Sequence, residues 1–141
     1  MDLPTVPPGY EPSEKETYMS PLHLAYFYRA LEIWKRDLQN QGEATLKSLA
    51  LDSTQAAETV DRASDELAKT LELRTRDRAR KLIKKIDQAL RRIDAKEYGY
   101  CEETGEPIGL RRLIARPIAT LSIEAQEAHE KAERMHAKVR T

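Results

Sequence analysis

Two long stretches of this chain carry apolar residues at helical spacing, and only a short segment separates them. In the first stretch the apolar positions step by threes and fours: Leu24, Phe27, Leu31, Trp34 and Leu38. In the second stretch the apolar positions alternate with charged ones and are Leu67, Leu71, Ala79, Leu82, Ile86, Ala89 and Ile93. This spacing predicts two amphipathic helices, the second from about Asp61 to about Lys96. Because so short a connection forces the helices to lie side by side, we expect an antiparallel coiled-coil hairpin with its tip near residues 51–63.

The first helix has a recognisable start and a weak far end. Ser20 precedes Pro21, so Ser20 can serve as N-cap while Pro21 occupies the first turn, where its missing N–H costs nothing. Beyond Leu38 the apolar stripe passes through Gln41, and Gly42 costs about 1 kcal/mol relative to alanine in a helix interior. We therefore expect the packing between the two helices to weaken toward the tip.

The segments on either side of the hairpin differ from it in composition. Residues 1–18 contain four prolines and few apolar residues, which predicts a mobile N-terminal tail. Residues 19–97 form the hairpin. Residues 98–141, called the head below, begin with turn-forming glycines and Pro107 and end in a predicted helix from about Leu121 to about Lys138. The predicted fold is therefore mainly α.

The head contains the outline of a four-cysteine zinc site. Such a site uses two Cys-x-x-Cys turns, each offering two thiolates to one tetrahedral ion. The first turn here reads Cys101-Glu-Glu-Thr104 and the second reads Ser122-Ile-Glu-Ala125, so three of the four positions cannot donate a thiolate. We expect no zinc and no other cofactor, and a head held together by packing of its apolar side chains. These are Tyr98, Tyr100, Ile108, Leu110, Leu113, Leu121 and Ile123.

Cys101 itself has two interpretations. A free cysteine is often a small buried apolar residue, which is the interpretation we favour, but it becomes a reactive sensor if its pKa is lowered. A mixed metal site with His129 or His136 lacks the usual ligand spacing.

Composition limits the functional classes. Lys and Arg together number 24, as do Asp and Glu, so no basic excess favours direct reading of DNA. The single cysteine excludes an internal disulfide and suits a reducing compartment. The chain has no apolar run of about 18 residues and no signal-peptide pattern at its start. We expect a cytoplasmic, monomeric protein without a membrane span.

Several motifs taken together resemble the DksA/TraR family of bacterial transcription factors. They are Tyr98-Gly-Tyr-Cys, Glu106-Pro-Ile-Gly, Arg111-Arg-Leu and Ala115-Arg-Pro, preceded by the basic stretch that begins with Leu73-Arg-Thr-Arg. The resemblance covers about residues 20 to 140. Because it has a single cysteine, the chain is similar to a zinc-less branch of the family. The resemblance implies a factor that is not an enzyme and that binds RNA polymerase through its secondary channel. It also implies the alarmone ppGpp as effector, a role in the stringent response and control of ribosomal RNA promoters.

The resemblance assigns a role to the hairpin tip. The family motif Asp-x-x-Asp-x-Ala corresponds to Glu58, Asp61 and Ala63, and this acidic tip would enter the secondary channel. Without the resemblance, an aspartate at a helix start is explained by the helix dipole, which it complements by about 0.3–1 kcal/mol.

The resemblance also implies an effector site. The ppGpp pocket of the family lies between the factor and polymerase, and its positions correspond to Leu82, Lys85 and Arg116. A further basic position of the family corresponds to Gln126, and the loss of that cation should weaken phosphate binding. The other basic residues between Arg74 and Lys84 are interpreted as a solvated helix face.

Two other functional classes remain open. One is a coiled-coil adaptor for another partner, which would not need an acidic tip. The other is a channel factor of the transcript-cleavage type, whose tip carboxylates hold a catalytic magnesium ion. Release of short RNA from a backtracked polymerase complex would distinguish the cleavage factor from an initiation factor.

Overall fold

The computed structural model describes residues 3–56 and 62–140 of the chain. Over these residues the chain forms four α-helices, which are α1 (Pro21–Ala56), α2 (Arg62–Asp94), α3 (Leu110–Ala115) and α4 (Ile123–Arg140). The described part of the chain contains no β-strand, and Tyr100 and Pro107 form an isolated antiparallel bridge. The predicted mainly α fold is confirmed. None of the helices, as far as they are described, combines the length and apolarity that a membrane span requires.

The chain divides into two compact units. One is Leu31–Gln88, and the other combines the segments before and after it. The structure thus groups the first turns of α1 and the end of α2 with the head. The predicted division into residues 1–18, 19–97 and 98–141 concerns motion and separate folding, and it stays a prediction.

The predicted start of α1 is confirmed in detail. The Ser20 hydroxyl accepts a hydrogen bond from the His23 N–H at 3.3 Å, and the Ser20 carbonyl accepts one from the Leu24 N–H at 3.0 Å. The far end of the helix differs from the prediction, because α1 continues to Ala56. No glycine or proline occurs between residues 43 and 60, so nothing in the covalent structure stops the helix at residue 50.

Within Leu31–Gln88 the helices pack through the predicted stripes. Leu31 and Ile86 are fully buried, and burial of such a side chain contributes about 1.5–3 kcal/mol. Lys35 and Asp87 join the two helices in an ion pair with an Nζ–Oδ1 distance of 2.7 Å. Nearer the start of α2, Leu67 is 62% exposed and Leu71 is 52% exposed, so the apolar stripe is not covered there.

The other unit has a core made by α1, α2 and the head together. Its fully buried side chains are the apolar Phe27, Ile93, Tyr98 and Leu113 and the polar His23. The rings of Phe27 and Tyr98 lie 5.5 Å apart between centroids. Of the predicted head residues, Ile108 and Leu110 are also buried, whereas the prediction for Ile123 is wrong because it is 52% exposed. Ile123 is the first residue of α4, and the buried Ala125 lies two positions, or about 200°, around the helix from it.

Residues 3–20 make specific contacts with the rest of this unit. The rings of Tyr10 and Tyr26 form a T-shaped contact with centroids 6.2 Å apart. Within the segment, the Tyr10 hydroxyl donates to the Glu16 carboxylate at 2.8 Å. The Tyr18 hydroxyl donates to the Gly99 carbonyl at 2.6 Å. The predicted mobility of the tail stays a prediction, but its last residues are bonded to the head.

Candidate functional site

The predicted tip residues are only partly within the described structure. Glu58 and Asp61 lie outside the described residues, and their role stays a prediction. Ala63 is the second residue of α2 and is exposed. Asp65 is the acidic residue in the first turn of α2, where it complements the helix dipole.

The predicted ppGpp-contacting residues fall into two groups. Leu82 and Lys85 lie three positions apart on α2 and therefore share one face of it. Leu82 is half-buried and Lys85 is exposed. Arg116 belongs to the other unit, where it is exposed and directly follows α3. Gln126 is half-buried on α4, and its side-chain amide contacts Glu130 at 3.4 Å.

The two turns of the zinc-site outline come together around Cys101. The Cys101 N–H donates to the Glu106 carbonyl at 2.8 Å, and the Gly105 N–H donates to the Cys101 carbonyl at 2.9 Å, which closes the first turn. Ser122 is buried and caps α4, since its hydroxyl accepts from the Ala125 N–H at 3.2 Å. Cys101 is only 3% exposed, so the cysteine is enclosed between the turns.

The Cys101 thiol sits among hydrogen-bond donors. Hydrogen bonds from the Thr104 side chain and from the backbone of Ser122 lower the pKa of Cys101 to about 6, against the opposing effect of desolvation. Donors that stabilise the thiolate lower a thiol pKa in this way. The sequence did not reveal the contribution of Ser122, because Ser122 reaches Cys101 only in the folded chain.

The residues at the four positions do not fit a structural zinc ion. Thr104 and Ser122 offer neutral hydroxyls and Ala125 offers a methyl group, whereas structural zinc is held by thiolates and imidazoles. Within residues 3–56 and 62–140, no group of three or more histidine, cysteine or carboxylate side chains is placed to hold a metal ion. His129 instead contacts Glu103, whose carboxylate raises the pKa of that imidazole.

Two arginines hold the turns of the head together, and neither was predicted from the sequence. Arg92 donates to the Glu102 carboxylate at 2.9 Å, to the Tyr100 carbonyl at 2.9 Å and to the Glu97 carbonyl at 3.1 Å. Arg112 donates to the Leu121 carbonyl at 2.9 Å. Their role could not be read from the sequence, where they look like any other basic residue on a helix.

Two family models together match most of the chain. The model described as "DnaK suppressor protein DksA, N-terminal domain" matches residues 23–93. The model described as "Prokaryotic dksA/traR C4-type zinc finger" matches residues 96–131, although this chain keeps one of the four cysteines.

Curated relatives and a solved structure agree with these matches. The RNA polymerase-binding transcription factor DksA of Caulobacter vibrioides is 55% identical over 127 residues, which are 90% of this chain and 89% of that protein. The protein of the same name from Escherichia coli K12 is 41% identical over 132 residues, 92% of this chain and 87% of that protein. The structure of transcription factor DksA2 from Pseudomonas aeruginosa matches with a TM-score of 0.78 and 43% identity, covering 83% of this chain and 90% of that one.

Proposed function

Since the chain belongs to the DksA family of RNA polymerase-binding transcription factors, we propose that it binds bacterial RNA polymerase and regulates transcription initiation. The identity of 55% with the DksA of Caulobacter vibrioides, over nine tenths of the chain, carries this proposal. The protein acts as a cytoplasmic monomer, without catalysing a reaction and without reading DNA sequence itself.

We further propose that the hairpin tip acts in the secondary channel of polymerase. A pair of antiparallel helices can present a small tip to a narrow cavity, and the tip sequence keeps two acidic residues, Glu58 and Asp61. A carboxylate brought close to basic or mobile elements near the active centre changes the electrostatic energy of the promoter complex. The lifetime of complexes at ribosomal RNA promoters would fall as a result.

The effector proposed for this regulation is ppGpp, held between the factor and polymerase. Lys85 and Arg116 supply an ammonium and a guanidinium group, the two cations that bind phosphates best. Both side chains are exposed, and neither pairs with a carboxylate in the part of the chain that the structure describes. They are therefore available to bind a phosphate ligand in a site that polymerase completes. Leu82, on the same face as Lys85, would supply an apolar contact.

Binding to polymerase tests the central proposal. The purified, tagged chain should retain core bacterial RNA polymerase in about equal molar amounts and should reduce transcription from a ribosomal RNA promoter. An adaptor for another partner would retain no polymerase, and a cleavage factor would release short RNA from a backtracked complex. Either outcome would replace the proposed function.

Replacing a proposed phosphate-binding cation should weaken the response to ppGpp. We expect Lys85→Ala and Arg116→Ala each to raise the ppGpp concentration for half-maximal inhibition by about tenfold, the size expected for the loss of a charge-assisted hydrogen bond. Polymerase binding without ppGpp should change by less than about twofold, because a single exposed charge contributes little.

Lys84→Ala is the matched control for this measurement. Lys84 is an exposed lysine beside Lys85 but lies about 100° away around α2. Its replacement should leave the ppGpp response unchanged. If Lys85→Ala and Arg116→Ala both respond like the parent, ppGpp binds elsewhere or is not a ligand.

A further inference from the structure

The short helix α3 has no side chain of its own to cap its first turn. Its N-cap residue is Gly109, which has a φ of 104° and offers no side-chain hydrogen bond. The N–H of Gly109 is bound instead by the hydroxyl of Tyr18, at 2.9 Å and 91 residues away in sequence. The same hydroxyl donates to the Gly99 carbonyl at 2.6 Å. One phenol oxygen thus bridges the start of the head and the start of α3.

The residues around Tyr18 hold this hydroxyl in place. The Tyr18 ring packs edge-on against Tyr100, with centroids 5.6 Å apart. The next residue, Met19, has a φ of 55°, and its N–H donates to Nδ1 of the buried His23 at 3.2 Å. A Cβ added at Gly99 would lie 2.5 Å from the Met19 sulfur, so the chain is packed tightly against this glycine. Burial also raises the pKa of Tyr18, so the hydroxyl, which is already protonated at neutral pH, stays a donor in more basic solution.

Arg116 directly follows α3, at the end of the helix opposite Gly109. The helix has six residues and is therefore about 9 Å long. Leu110 and Leu113 are buried on its inner side, and the Arg116 N–H closes the last turn on the Arg112 carbonyl at 2.7 Å. The Leu113 N–H also donates to the Gly109 carbonyl at 3.1 Å, so backbone hydrogen bonds connect both ends of this short helix. The position of its first residue therefore affects where Arg116 lies.

We propose that Tyr18 is a positioning residue for Arg116. By binding Gly109 and Gly99 together, the Tyr18 hydroxyl fixes the start of α3 and thereby places the Arg116 guanidinium for a phosphate ligand. Tyr18 itself does not touch that ligand. The inference rests on the proposed function of Arg116 in ppGpp binding.

Tyr18→Phe tests this role, because it removes the hydroxyl and keeps the ring. We expect the ppGpp concentration for half-maximal inhibition to rise about fivefold, as for the loss of a bridging hydrogen bond. Inhibition at saturating ppGpp and polymerase binding should change by less than about twofold. Amide hydrogen exchange at Gly109 should accelerate, because its N–H loses its acceptor.

Tyr10→Phe is the matched control. Tyr10 lies in the same N-terminal segment, but its hydroxyl donates to Glu16 and not to the head. Its replacement should alter neither the ppGpp response nor the exchange of Gly109. An equal loss of ppGpp response in the two variants would overturn the role of Tyr18, because any hydroxyl of the segment would then serve.

A double variant separates positioning from general stability. The double variant carries both Tyr18→Phe and Arg116→Ala. If Tyr18 acts through Arg116, the response of this variant to ppGpp should equal that of Arg116→Ala alone. Additive losses would refute positioning. If Arg116→Ala loses the response and Tyr18→Phe does not, the inference fails and the proposed effector site stands. If Arg116→Ala itself keeps the parental response, the proposed function of Arg116 fails first.

Discussion

Asp61→Asn should leave polymerase binding intact and reduce inhibition of a ribosomal RNA promoter about tenfold or more. Asparagine keeps the size of aspartate and most of its capping ability, so the free energy of unfolding should change by less than about 1 kcal/mol. What it removes is the negative charge, and a hydrogen bond to a charged group contributes about 1.5–3 kcal/mol, which corresponds to tenfold or more. Binding should persist because its energy would come from the larger surfaces of the helices and the head.

The measurement is a competition assay for polymerase beside a transcription assay, with the melting temperature as a check on folding. Asp65→Asn is the matched control, since Asp65 is the acidic residue in the first turn of α2. The Asp65→Asn variant removes a charge that complements the helix dipole and leaves the tip motif unchanged. It should therefore inhibit the promoter as strongly as the parent. Glu58→Gln should have a smaller effect than Asp61→Asn, because Glu58 already departs from the aspartate of the family. Full inhibition by Asp61→Asn would leave Asp61 as an ordinary helix-start residue.

The hairpin could be predicted because its signals are local and periodic. The stripe from Leu24 to Leu38 repeats along one helix face, and the cap at Ser20 depends on residues three and four positions away. The helix α3 left no such signal. Its six residues make fewer than two turns, and Pro107, Gly109 and Pro117 around them indicate turns rather than a helix.

The contacts that organise the head could not be predicted for a different reason. Tyr18 meets Gly109 across 91 residues and Arg112 meets Leu121 across nine, and neither pairing follows a repeat. The lowered pKa of Cys101 depends first on the Thr104 side chain, three residues along, but also on the backbone of Ser122, which only the fold brings near. The motifs identified the segments of the head, but the partners of each side chain depend on three-dimensional packing.

Leu113→Ala should destabilise the head by about 2–5 kcal/mol, the range for removing a fully buried leucine from a packed core. Leu113 is 0% exposed and lies on α3. The loss should be large because the residues at the zinc-site positions do not fit an ion that would hold the head by coordination. Packing and hydrogen bonds from residues such as Arg92 and Tyr18 must supply that stability. Chemical denaturation followed by a probe in the head measures the change.

Ile114→Ala is the matched control, because Ile114 is the next residue on the same helix and is 49% exposed. Its replacement should cost about 0.5 kcal/mol or less.

The same preparations test the metal directly, since the parent should contain no stoichiometric zinc and should keep its melting temperature in excess chelator. A metal-bound head would behave in the opposite way, because binding of a structural ion contributes to folding free energy. One zinc ion per chain, together with unfolding in chelator, would show that coordination rather than the packing of Leu113 holds the head.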